Sequence, residues 1–200
     1  MTLDHTLAFV AFSIVVAGTP GPSNAVLTAT GANVGVLRGL PALVGVTAGL
    51  AVLMFMVSLG LGTVILDNPQ LLTAARWTGG AVLLWLAWKI ATSKGAGGDK
   101  DARPIGFLGA AAFQWINPKS WVACTSAAAF LDQTGGSAAV QAALLALLFV
   151  LAAGPCCFVW LAFGAVVQRA LRSQRARRTF NVAMGAVLAA SASVFFFSSR

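Results

Sequence analysis

From Thr6 to Ser198 the chain is a succession of apolar blocks, each about as long as the helix needed to cross the roughly 30 Å hydrocarbon core of a bilayer. They run approximately Thr6–Asn33, Leu40–Leu66, Leu71–Ile90, Ile105–Leu131, Ala138–Gln168 and Phe180–Ser198. Hydrocarbon offers no partner to a free peptide N–H or C=O, so such blocks must satisfy their backbone within helices. Composition agrees: 58% of the residues are hydrophobic and 9% charged, where a soluble domain carries roughly 25% charged. The expected fold class is an all-α membrane protein with six transmembrane helices, as a single transmembrane domain over residues 1–200.

The link from Ser93 to Pro104, rich in Gly, Lys and Asp, reads as solvated and flexible. It divides the chain into a first half of about 1–92 and a second of about 105–200, with three spans each. Short basic loops stay in the cytoplasm. Six spans put Arg38, Lys89, Lys94, Lys100, Arg103, Arg169, Arg172, Arg175, Arg177 and Arg178 on one side, with Arg76 and Arg200 on the other. The first side is therefore expected to be cytoplasmic. The dense run from Arg169 to Arg178 has no interleaved aromatics and no soluble fold around it, so it reads as a positive-inside loop and not as a nucleic-acid contact.

Several classes are set aside. Met1 to His5 carry no basic n-region and the first block continues through Pro20, so a cleaved signal is not expected. His5 reads as a solvated terminal residue. Cys124, Cys156 and Cys157 lie in apolar segments without metal-ligand spacing and read as packing residues, so no metal or cofactor is expected. No nucleophile–base–acid set occurs among the spans, which argues against an enzyme.

Two blocks are interrupted. The first contains Thr19-Pro20-Gly21-Pro22-Ser23-Asn24, and the fourth contains Gln114-Trp115-Ile116-Asn117-Pro118-Lys119. Prolines remove helix hydrogen bonds and free upstream carbonyls, while Ser23 and Asn24 are candidates to cap the restarting helix. A restarting helix turns its partly positive N-terminus into the membrane, where it favours a carboxylate. Lys119 puts a full charge near mid-membrane, an expensive placement that points to a cavity or a partner. Each interruption opens its half, and an odd number of spans per half makes the halves run in opposite senses. The spacing predicts two inverted three-helix repeats, with broken first and fourth helices meeting near the midplane.

Weaker signals surround these. Gly31, Gly35 and Gly39, and Gly45 with Gly49, are spaced for close helix approach, within the fold or across a homodimer. Gly154-Pro155 predicts a further kink. Trp115 and Trp160 are candidate cavity walls, and the other tryptophans are candidate interfacial anchors.

Pro20-Gly21-Pro22-Ser23-Asn24 followed by Gly31 and Gly35 resembles the Pro-Gly-Pro motif of the LysE/RhtB family of amino-acid exporters. Gly106-Phe107, Gln114 and Asn117-Pro118-Lys119 resemble that family's second signature. The stretch from Trp77 to Lys89 and the Arg-rich link before Gly185 are similar too. This chain departs from the pattern in having Ser23 where asparagine is frequent, no acid in the second span and no proline near Leu131. The resemblance implies secondary-active efflux of an amino acid or close derivative across a bacterial inner membrane, driven by the proton gradient. Asp4, Asp67, Asp99, Asp101 and Asp132 all lie near span ends or in links, so no carboxylate is placed mid-span.

The expected binding residues are Pro20, Gly21, Pro22, Ser23, Asn24, Gln114, Asn117, Pro118 and Lys119. A substrate carboxylate would meet Lys119 and the helix termini, and its ammonium would meet freed carbonyls with Asn24 and Asn117. The alternative is an ion or metal-cation transporter on a similar scaffold, and the absence of intramembrane acids counts against it. A non-transporting assembly protein would have no use for a buried lysine.

Overall fold

A computed structural model describes residues 2–93, 105–131, 136–171 and 173–197. Residues 94–104 of the link expected to be solvated, and Asp132, Arg172 and Arg200, lie outside the described residues. Every element among those described is a helix: α1 (Leu3–Gly18), α2 (Pro22–Met56), α3 (Gly62–Leu66), α4 (Pro69–Ala91), α5 (Phe107–Ile116), α6 (Pro118–Ala127), α7 (Ala138–Ala170) and α8 (Gln174–Phe197). A wide helical turn over Val57–Leu61 joins α2 to α3, and a single tight turn over Ala128–Phe130 ends α6.

Both interruptions are real breaks, and their cause is local. The residue before a proline is pushed out of the helical region by the proline Cδ. Thr19, Gly21 and Asn117 each precede a proline, and all three are extended. Pro22 and Pro118 then take the first helical position, where a missing N–H costs nothing.

Past its break, α2 is buried on every face from Pro22 to Ala32, which makes this segment the axis of the bundle. It ends at Gly35, whose φ of 77° is left-handed and takes the chain out of helical geometry before the next segment begins. The expected division between the first two spans therefore falls on one glycine. Pro155, in contrast, sits inside α7 without ending it.

Helix pairing follows from small residues. Gly31 faces the carbonyl of Leu161, and Gly164 faces that of Thr28, so the first part of α2 and α7 touch backbone to backbone in antiparallel fashion. Gly45 and Gly49 meet Phe107 and Ala111, which lays the second part of α2 along α5 in the same direction. The glycine spacing thus serves packing within the fold at these positions. α4 and α8 form a third, antiparallel pair: Asn181 donates from Nδ2 to the carbonyl of Ser93 at 2.9 Å, and Gly185 approaches the carbonyl of Ala87.

Two described stretches, Pro22–Ile65 and Ala138–Val167, are each long and apolar enough to cross a membrane alone. α1, with 16 residues, and α5, with 10, are apolar but short, about 24 and 15 Å at roughly 1.5 Å per residue. The breaks divide what the sequence presents as continuous apolar blocks.

Candidate functional site

The two breaks meet, 90-odd residues apart in sequence, through hydrogen bonds between buried side chains. Ser23 Oγ donates to Gln114 Oε1 at 2.9 Å, and Asn117 Nδ2 donates to Ser23 Oγ at 2.8 Å. Ser120 Oγ donates to the same Gln114 Oε1 at 2.9 Å, and Gln114 Nε2 is held by the carbonyl of Ala110 at 3.1 Å. Gln114 is fully buried and Asn117 nearly so. Buried polar groups are tolerated when they satisfy one another, and this network fixes the start of α2 against the α5–α6 junction.

The ends of the interrupted helices are treated differently. Asn117 caps α6, its Oδ1 accepting from the Lys119 amide at 3.1 Å. At the start of α2 the capping position is Gly21, and no side chain bonds the first amides. Asn24, expected to cap α2, instead donates from Nδ2 to the carbonyls of Ala17 and Thr19, at 3.0 and 2.7 Å, and so caps the end of α1. Ser23 is likewise taken up by Gln114 and Asn117. The reason is geometric: an extended Gly21 turns the freed carbonyls of α1 toward Asn24. Of the two helix starts at the breaks, that of α2 is the one left without a side-chain cap.

Lys119, half-buried, reaches across to α1. Its Nζ donates to the carbonyl of Thr19, beside the partly negative C-terminus of α1. Gly21 makes room for it, since a Cβ there would stand 2.6 Å from Lys119 Cδ. The carbonyl of Trp115, near the end of α5, accepts from Trp121 Nε1 at 2.8 Å.

Around these groups lies a cavity of about 30 Å³, room for two or three waters at roughly 10–15 Å³ each. Of the expected binding residues, Gly21, Ser23, Asn24, Asn117 and Lys119 line it. Gln114 stands behind as an anchor, while Pro20, Pro22 and Pro118 shape the backbone. The expected binding residues did not include Ser120, nor Leu50, Phe149 and Cys157, which line the cavity together with Val16, Ala17 and Ala123. Ser120 carried a usable signal, a hydroxyl one position beyond Lys119 in an apolar block. The rest of the lining is apolar or weakly polar, and nothing local distinguishes it. Trp115 and Trp160 line neither this cavity nor the larger one described below.

Residues 14–199 match the pattern of the family described as LysE type translocator. Among curated proteins, the chain is 35% identical over 120 residues to a cysteine/O-acetylserine efflux protein of Klebsiella pneumoniae subsp. pneumoniae, covering 60% of this chain and 61% of that protein. It is 31% identical over 112 residues to the protein of the same name from Salmonella choleraesuis, covering 56% and 57%. It is 31% identical over 120 residues to that of Escherichia coli, covering 60% and 61%. The chain thus aligns with about three fifths of the length of these relatives. No solved structure matches it. With both interruptions inside the matched region, the chain belongs to the LysE type translocator family, whose members are membrane proteins.

Proposed function

We propose that this protein is a secondary-active exporter of a small zwitterionic amino acid or close derivative, driven by the proton-motive force across a bacterial inner membrane. The observation that carries the reading is the meeting of the two breaks. It gathers a lysine, an uncapped helix start and the carbonyls at the end of α1 around one cavity. That set matches a zwitterion. The substrate carboxylate takes Lys119 and the first amides of α2. Its ammonium takes the carbonyls of Ala17 and Thr19, displacing Asn24 and Lys119 from them.

In this state Lys119 is bonded to the protein itself, and the cavity is too small for an amino acid. The site is therefore closed, and the substrate carboxylate exchanges for the Thr19 carbonyl on Lys119. The cysteine and O-acetylserine named for the relatives are compact enough for a site walled by Ala17, Ala123, Leu50 and Phe149. A cation carrier fits poorly, because the ionised group at the cavity is an ammonium and no carboxylate lines it.

The architecture we propose is six spans in two inverted three-helix repeats, about 1–92 and 105–200, joined by a cytoplasmic link over 93–104. The α1–α2 and α5–α6 breaks support it, each opening one half, as does the antiparallel α4–α8 pair. Efflux from proteoliposomes loaded in turn with amino acids, O-acetylserine and divalent cations tests the function. Movement of amino acids or O-acetylserine but not cations is the expected result. Cation movement alone, or none of either, refutes it.

A further inference from the structure

A second, much larger cavity of about 720 Å³ lies between α2, α4 and α5. Its mouth holds Asn33, Lys89, Thr92 and Ser93, and its floor is formed by Val26, Phe113 and Ile116. It is lined from Ile105, just ahead of α5, to Ile116 at the end of that helix, and the stretch from Gly109 to Ile116 alone spans about 10 Å at roughly 1.5 Å per residue. The floor residues are chain neighbours of the site: Phe113 precedes Gln114, Ile116 precedes Asn117, and Val26 lies one turn beyond Ser23. Phe113 and Val26 are nearly fully buried in a shared apolar cluster, against which Ile116 packs.

The other end of the molecule carries a cluster of aromatic rings. About 12 Å from the site along α1, at roughly 1.5 Å per residue, Phe9 and Phe12 pack on Phe130, with ring centroids 5.2 and 5.6 Å from it. Among the described residues the large cavity opens at the basic end, which carries Arg38, Lys89 and the start of α8.

We propose that the 720 Å³ cavity is a water-filled vestibule on the basic side of the membrane, through which the amino-acid substrate approaches the Lys119 site, with the Val26–Phe113–Ile116 layer as the inner gate. The inference rests on the exporter reading and adds its route. Its occupant is the zwitterionic substrate in water, not a lipid chain. The mouth presents an amide, hydroxyls and the ammonium of Lys89, and Thr30 places a further hydroxyl deeper on the α2 wall. Acyl chains would leave such groups unsolvated. Lys89, its Nζ 5.0 Å from the Trp85 ring centroid, is held at the mouth where it draws the carboxylate in. The breaks at Asn117 and Gly21 supply the hinges about which α5 tilts to part Phe113 from Val26.

The test places a thiol on the vestibule wall and another on an outward face of the bundle. Ala112→Cys lines the vestibule, and Leu151→Cys is exposed midway along α7. Each is treated with the membrane-impermeant reagent sulfonatoethyl methanethiosulfonate, in inside-out and right-side-out vesicles, with the unsubstituted chain as the baseline for Cys124, Cys156 and Cys157. Labelling of Ala112→Cys from the cytoplasmic side alone, slowed by O-acetylserine and followed by loss of efflux, is the expected outcome, with Leu151→Cys unlabelled. A cavity filled by lipid leaves Ala112→Cys unlabelled and overturns the proposal. So does labelling from the opposite side, or labelling that leaves efflux unchanged. An unsubstituted chain that moves no amino acid sinks the exporter reading instead, and one-sided aqueous labelling of Ala112→Cys still decides the vestibule.

Discussion

Lys119→Met separates a substrate ligand from a structural cap, because the structure makes its stability cost small. The ammonium donates to the Thr19 carbonyl, and a charged hydrogen bond contributes about 1.5–3 kcal/mol. Placing a lysine at mid-membrane costs about 2.5–3.5 kcal/mol on insertion scales. The two nearly cancel, leaving a net effect between about 0.5 kcal/mol of loss and about 2 kcal/mol of gain. Thr19 is not orphaned either, since Asn24 Nδ2 still reaches its carbonyl at 2.7 Å. Methionine fills the stem's space beside Gly21. Folded yield and melting temperature in detergent should therefore hold or rise, while O-acetylserine efflux per folded molecule is lost. Lys119→Arg keeps the charge, but its larger planar head changes the donor geometry where the lysine stem packs close to Gly21, so efflux should fall without vanishing. Normal efflux in the methionine variant, or lost stability with normal efflux in the surviving folded protein, would refute the assignment and leave Lys119 as a cap on α1.

Three further outcomes follow from the packing. Ser23→Ala strips the acceptor from Asn117 Nδ2 and one donor from Gln114, so melting should report a loss of about 1–3 kcal/mol, with reduced efflux; an unchanged melting point would dissolve the proposed lock between the breaks. Gly164→Ala drives a Cβ into the Thr28 carbonyl and should cost about 1–3 kcal/mol by overpacking, while Gly154→Ala, with open space around it, should be neutral or stabilising; equal melting points for the two would contradict the backbone contact of α2 and α7. Among the described residues, Ser58 Oγ in the wide turn after α2 is the buried side-chain atom lacking a hydrogen-bond partner. Ser58→Ala should therefore raise the melting point or leave it unchanged, and a clear drop would show a partner for that hydroxyl.

The helices and their interruptions were legible in the sequence because both are local. Apolar blocks without backbone partners must be helical, and Thr19, Gly21 and Asn117 are extended because a proline follows each. Lys119 stood out because a charge in an apolar block is costly wherever the chain goes. Tertiary structure decided which groups face one another. Nothing in Asn24 itself says that it caps the preceding helix and not its own, since that depends on where Gly21 turns the carbonyls of Ala17 and Thr19. Leu50, Phe149 and Cys157 entered the site because the second part of α2 and α7 pack where they do, and their side chains carry no signature of it. Gly31 and Gly45 read identically as small residues, yet one fixes α7 and the other α5. A sequence states which surfaces can approach closely, and the folded bundle alone decides which partner arrives.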